Sequence, residues 1–423
     1  MVYYSEGSVE KIFTKQELKS ALHQAFDKIG PKKRVLIIPP DITRYHSRAG
    51  EITEIAYNYY GEAVKAIMPA LGTHVPMTDA EIGKMFGSIP RSLFKDHDWR
   101  NDVVNLGEIP AETLEKISEG KVSYSWPVQV NKLLLEGDFD LMLSIGQVVP
   151  HEVIGMANYT KNIFVGTGGQ DGINKSHYLG AVYGMERIMG RADNPVRYIV
   201  DEAYEQFGEN LPVVFIQTVI GTESSGELAM KGLYISKDRT AFVQASELAL
   251  KVNFIMLEKP LKTVVVYLDP EEFRSTWLGN KSIYRTRMAL ADGGHLIVLA
   301  PGVSTFGEDP EIDKLIRKYG YKGTKKVLID VEVQDDLKEN LSAAAHLIHG
   351  SSDGRFSITY CPGGLSKEEV EAAGYEYGDI KAMMELYNPQ EKQDGYYTIN
   401  DEEIYFISNP ALGLWACRER FNA

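Results

Sequence analysis

Short runs rich in Val, Ile and Leu alternate along this chain with stretches of helical period, and that alternation constrains the fold more than any other feature. Arg34-Val35-Leu36-Ile37-Ile38-Pro39 reads as a buried strand followed at once by a polar turn. Comparable runs are Leu141–Ile145, Ile163–Val165, Val213–Gln217, Thr263–Leu268, His295–Ala300, Lys326–Val331 and Glu403–Ile407. Helix start signals lie between them. Thr14-Lys15-Gln16-Glu17 is a capping box, Asp309-Pro310 sets a cap before a proline at the first helical position, and Thr78 is a third cap. Strand and helix in alternation predict βαβ units, hence an α/β protein with largely parallel sheets.

Length then sets the number of units. The 423 residues suggest two or three domains, and the best boundary is Leu257-Glu258-Lys259-Pro260, where a helical stretch gives way to a strand. A weaker break is the polar, turn-rich segment Asn388–Gly395. The expectation is an N-terminal α/β domain over 1–260, a C-terminal α/β domain over 261–395, and a tail, 396–423, that packs on one of the two. The predicted site lies in the cleft between the domains, at the carboxyl ends of strands.

Charge and cysteine content exclude several functions. With 45 Lys+Arg against 59 Asp+Glu the net charge is −14, which argues against a nucleic-acid binder. Cys361 and Cys417, the two cysteines, are in no metal-like spacing and form no disulfide framework. The first residues show no secretory signal, and no apolar run approaches the ~18 residues of a membrane span. A soluble, cytoplasmic enzyme is the expectation, with no nucleic-acid or membrane partner.

Four clusters carry the chemistry. Pro40-Asp41-Ile42-Thr43-Arg44 follows a strand directly; Arg offers a planar fork for a carboxylate or phosphate, although the turn also reads as a simple helix cap. Gly72-Thr73-His74 places an imidazole in a loop, where it can serve as a general base or merely support the fold. His151 follows the strand Leu141–Ile145, Lys161 comes ten residues later and His177 twenty-six later, with the turn Val165-Gly166-Thr167-Gly168-Gly169 between them. Those glycines resemble a phosphate-cradling turn, yet they are no dinucleotide fingerprint, because Asp171 stands where that pattern wants glycine. Trp277-Leu278-Gly279-Asn280-Lys281 is the fourth cluster; the nearby Arg285 and Arg287 suit a basic helix face in water. His346 and His349 read as a helix end rather than a metal site, and His23, His97 and His295 receive no role.

Taken in order, these clusters resemble the nickel-dependent lactate racemase family, with its Asp-x-Thr-Arg turn, its Gly-Thr-His loop and a His-Lys-His set of the same spacing. The resemblance implies a nickel-pincer nucleotide, joined to a lysine that corresponds to Lys161, with His177 on the metal. It implies His74 and His151 as the acid/base pair and Arg44 and Lys281, with Trp277, on the substrate. Asp41, Thr43, Gly166 and Gly168 would hold the cofactor, and its sulfur atoms would stand in for cysteine ligands. Loading it requires cofactor-biosynthesis enzymes as partners. Two stretches depart from the family. Met156-Ala157-Asn158-Tyr159-Thr160 replaces a glycine-rich segment before the lysine, and Trp277-Leu278 replaces a Tyr-Gln pair. The departures suit a longer acid than lactate, so the expected reaction is C2 epimerisation of a sugar acid (an aldonate) by reversible hydride transfer. The alternatives are a racemase of lactate or another short 2-hydroxy acid, a nicotinamide-dependent sugar-acid dehydrogenase and a non-catalytic carboxylate-binding protein.

Overall fold

The computed structural model describes residues 1–423 apart from Ser224, Leu412 and Ala423. It forms two compact units, Met1–Leu179 with Ile188–Asn253, and Gly180–Arg187 with Phe254–Ala423.

The first unit is built on a six-stranded sheet of β1 (Val2–Gly7), β2 (Val35–Ile38), β3 (Val64–Ile67), β4 (Leu141–Gln147), β5 (Val213–Thr222) and β6 (Leu228–Ser236), in the order β1-β6-β5-β4-β2-β3. The four strands β5, β4, β2 and β3 are mutually parallel, whereas β6 and β1 add antiparallel at one edge. One face is covered by helices Lys15–Ile29 and Ala49–Tyr60, whose Leu18, Leu22, Phe26, Ile52 and Ala56 are fully buried with Val35, Ile37 and Leu143 of the strands. The first of these helices begins at the expected capping box, with the Thr14 hydroxyl accepting from Glu17 N–H and Glu17 reaching back to the Thr14 amide. Parallel strands all end on the same side of a sheet. The segments leaving β2, β3 and β4, which carry Asp41, His74 and His151, are therefore delivered to one edge.

The second unit has its own six-stranded sheet: β7 (Leu261–Tyr267), β8 (Leu290–Ala300), β9 (Phe356–Pro362), β10 (Glu376–Tyr377), β11 (Gly395–Ile399) and β12 (Glu402–Ile407), in the order β10-β9-β8-β7-β12-β11. Only β11 runs antiparallel to its neighbour. Among the described residues no helix is long and apolar enough to cross a membrane.

The mixed α/β, largely parallel architecture is the one the alternation predicts, but several details differ. Ile163–Val165, expected as a strand, lies at the end of helix Thr160–Phe164, and Lys326–Val331 lies within helix Thr324–Val333. In the latter, Val327, Asp330 and Val331 are the buried residues, a helical spacing that a short apolar run does not disclose. The units divide at Asn253–Phe254 rather than at residue 260, because Phe254–Leu257 is a strand paired in parallel with Leu414–Cys417. The segment 396–423 packs within the second unit, where β12 lies beside β7 inside the sheet.

Candidate active site

Each predicted group of the first unit owes its place to a local feature. β2 ends in Pro39-Pro40, and Asp41 then caps a short 3-10 helix, Ile42–Ser47, by accepting from the Thr43 amide at 3.0 Å and from the Thr43 hydroxyl. The other oxygen of Asp41 meets Nδ1 of His74 at 2.5 Å. Asp41 is buried. Burial alone would raise its pKa, but the hydrogen bonds from His74 and Thr43 and the charge of Arg44 outweigh it and hold the carboxyl at about 2. An ionised Asp41 fixes the proton of His74 on Nδ1, leaving a lone pair on Nε2.

His151 is held the other way. It lies in a two-residue ladder, Pro150–His151 against Gly155–Met156, and its Nδ1 accepts the Val153 N–H at 3.1 Å. The ring proton then belongs on Nε2. Burial pushes this imidazole well below its ordinary range; Glu152 opposes that shift, while the charges of Lys161, Arg44 and His177 add to it. Sequence reasoning passed over Glu152, although it adjoins His151; its carboxylate lies 3.7 Å from His151 Nδ1.

Lys161 is the second residue of helix Thr160–Phe164. Desolvation, with Arg44 next in weight, lowers its ammonium to about 8. His177, on helix Gln170–Tyr183, donates from Nδ1 to the Ile173 carbonyl one turn back at 2.7 Å. Its Nε2 is thereby a neutral donor of the kind that ligates metals, and burial lowers its pKa to about 4. Arg44 acts on Asp41, His151 and Lys161, and His177 feels Lys161, Glu152 and His74. All these groups lie in one unit and within reach of one another's charge.

The glycine turn works differently from expectation. Gly166 and Gly168 are buried, and their amides are engaged by the carbonyls of Lys161 at 2.9 Å and Val165 at 3.4 Å. A Cβ on Gly166 would stand 2.4 Å from the Asn162 carbonyl, and one on Gly168 would stand 2.1 Å from that of Phe164. Close packing explains these glycines; their amides are committed within the chain rather than offered to an anion. The turn also braces the site. The Gly166 carbonyl accepts from Gly72 in the His74 loop at 2.9 Å, and the Gly168 carbonyl accepts from His97 at 3.0 Å. His97, given no role from sequence, is thus a buried strut whose Nδ1 accepts from Asn131; its neighbours are distant in sequence, so no local signal marks it.

In the second unit, Trp277 lies on helix Thr276–Gly279 and packs on His346, with ring centroids 4.5 Å apart. The Lys281 ammonium stands 5.5 Å from the Phe273 ring centroid. Arg285 and Arg287, expected on a solvated helix face, are buried instead. Arg287 pairs with Glu186 at 2.9 Å and with Asp353 at 3.3 Å.

The fold and this constellation define an α/β protein with a cluster of ionisable side chains at the carboxyl edge of a parallel sheet. Residues 5–188 match the family model described as the lactate racemase N-terminal domain. No curated protein matches the chain. Two solved structures share the fold along almost its whole length. A Thermotoga maritima protein is 24% identical, with a TM-score of 0.82, covering 96% of this chain and 99% of its own. The lactate racemase apoprotein of Thermoanaerobacterium thermosaccharolyticum is 18% identical, with a TM-score of 0.70, covering 97% and 94%.

Proposed function

We propose that this chain is a racemase or epimerase of a 2-hydroxy acid that works with a nickel-pincer nucleotide on Lys161 and His177. The observation that carries the reading is the convergence, in one unit, of a cation, two differently prepared imidazoles, a lysine of lowered pKa and a histidine with a free Nε2. The donor set fits the group. Among the described residues no three His, Cys, Asp or Glu side chains converge as a metal site; His177 would be the protein's ligand to nickel, and the organic ligand would supply the other donors. Cys361 and Cys417 are buried, and burial pushes the Cys361 thiol up to about 12. When bound, the cofactor supplies a reversible acceptor for the hydride at C2.

The protein does the rest. Arg44 holds the substrate carboxylate with its two-pronged guanidinium. His74 takes the hydroxyl proton on Nε2, and Asp41 stabilises the imidazolium that results. His151 presents Nε2–H toward the oxygen. A sugar acid is proposed over lactate because Trp277-Leu278 stands where the resembled family carries a Tyr-Gln pair. The segment Met156–Thr160, which also suggested a longer acid, does not bear on the choice, since Asn158 and Tyr159 are buried in packing.

The test is co-expression with the cofactor-biosynthesis enzymes, followed by peptide mass and nickel analysis. Added mass on Lys161 with about one nickel per chain is expected; no mass and no nickel would remove the reading. Turnover of single aldonate epimers against single lactate enantiomers then decides the substrate.

A further inference from the structure

The backbone that leads into Lys161 is in a conformation its residues resist. Asn158 has φ +69° and Tyr159 has φ +59° with ψ −135°, a region that glycine enters freely and a bulky aromatic residue rarely does. Such a turn persists only where its surroundings fix it.

They do so from three sides. The Tyr159 ring stacks on Phe242, with centroids 5.3 Å apart and planes at 19°, and lies 4.5 Å from Phe215. Arg197, only 1% exposed, reaches back to this segment from helix Pro195–Ala203. Its guanidinium donates to the Met156 carbonyl at 2.6 Å, to the Asn158 carbonyl at 3.2 Å and to the Thr160 hydroxyl at 2.9 Å, while its face lies 4.4 Å from the Phe242 ring centroid. Asp201 accepts from the same Thr160 hydroxyl and stands 3.6 Å from the guanidinium. Finally, Asn158 donates to the Gly146 carbonyl and Asn162 donates to the Ser144 hydroxyl, which pins both flanks of Lys161 to β4. A buried arginine is costly to desolvate, and this one lies against backbone at the residues of unfavourable φ.

We infer that Tyr159 and Arg197 are positioning residues for Lys161: the aromatic cage and the guanidinium together impose the left-handed turn that sets where the lysine amine stands. The inference rests on the reading of Lys161 as the reactive amine, but its test needs no cofactor.

Competitive acetylation of the full-length apo chain across pH, read by peptide mass spectrometry, reports the Lys161 amine directly. The wild type is expected to label with a midpoint near 8. Arg197→Lys keeps the charge but loses the three-way grip, and Tyr159→Gly removes the ring; each moves the midpoint up by about one pH unit as the amine gains water. Tyr159→Phe, which keeps the ring, leaves it in place. Leu22→Ala, a core cavity on the helix Lys15–Ile29, lowers Tm without moving it. An unshifted Lys161 midpoint in folded Arg197→Lys or Tyr159→Gly overturns the inference and leaves the mass and nickel test untouched. Should neither variant fold, hydrogen exchange of the wild type decides. Slow exchange at the amides of Ala157, Asn162 and Val165 is expected from the clamp, and exchange at loop rates there overturns it equally.

Discussion

The loop that carries His74 and the hairpin that carries His151 present the same residue to one site in opposite states. The His74 side chain is 46% exposed and that of His151 only 10%. His74 gives its Nδ1 proton to a buried carboxylate, while His151 receives an amide proton on Nδ1. The hydrogen-bond partners leave a lone pair on Nε2 of one imidazole and a proton on Nε2 of the other, and burial sets them further apart. Two histidines named together from sequence are therefore not interchangeable in the resting protein.

Removing the imidazoles should have the largest effect. His74→Asn and His151→Asn are each expected to lower turnover of the loaded enzyme by ~10²–10⁴-fold; normal rates in either variant would break the pairing. Asp41→Asn should cost less, about 10–10²-fold, the equivalent of one hydrogen bond to a charged group. Ring ¹⁵N shifts should then show His74 losing its fixed tautomer while His151 keeps Nε2–H. If the two rings show the same tautomer in the wild type, the contrast itself is wrong.

Acid stability sharpens the comparison. His151 and His177 have folded-state pKa values below the ordinary 6.5. Their contribution is complete above that value and is lost as pH falls through the folded-state values, about 4 for His177. Urea titrations of the apo chain should show stability declining from pH 6.5 toward 4, with a shallower decline in His177→Asn. Asp41, held at about 2 against 3.8, adds about 2 kcal/mol that persists above pH 3.8 and is lost toward pH 2. The smallest effect belongs to Glu152→Gln. A loss of a few-fold at most is expected for a group 3.7 Å away, and a loss as large as that of Asp41→Asn would mean that both histidines depend on a carboxylate partner.

Much of this site was legible from residue order. Asp41, Arg44, His74 and His151 follow strands whose periodicity is local, and parallel strands bring their ends to one edge. Lys161 and His177 were found by spacing. Arg197 and His97 were not, because each contacts the site across long sequence separation and has no motif of its own. The glycines were noticed for the wrong reason: a turn that packs tightly on its own helix and a turn that cradles an anion demand the same residue. Arg285 and Arg287 misled in the same manner, since the acid that buries a basic side chain is distant in sequence.

The sequence alone determined the α/β class, the strand-end loops and the kinds of group in the site, since these follow from periodicity and side-chain chemistry. Tertiary structure decided which nitrogen of each histidine carries the proton, and why a tyrosine stands in a left-handed turn beside Lys161. It also decided where the two units divide. Those outcomes depend on contacts between residues far apart in the chain, and such contacts exist only once the chain has folded.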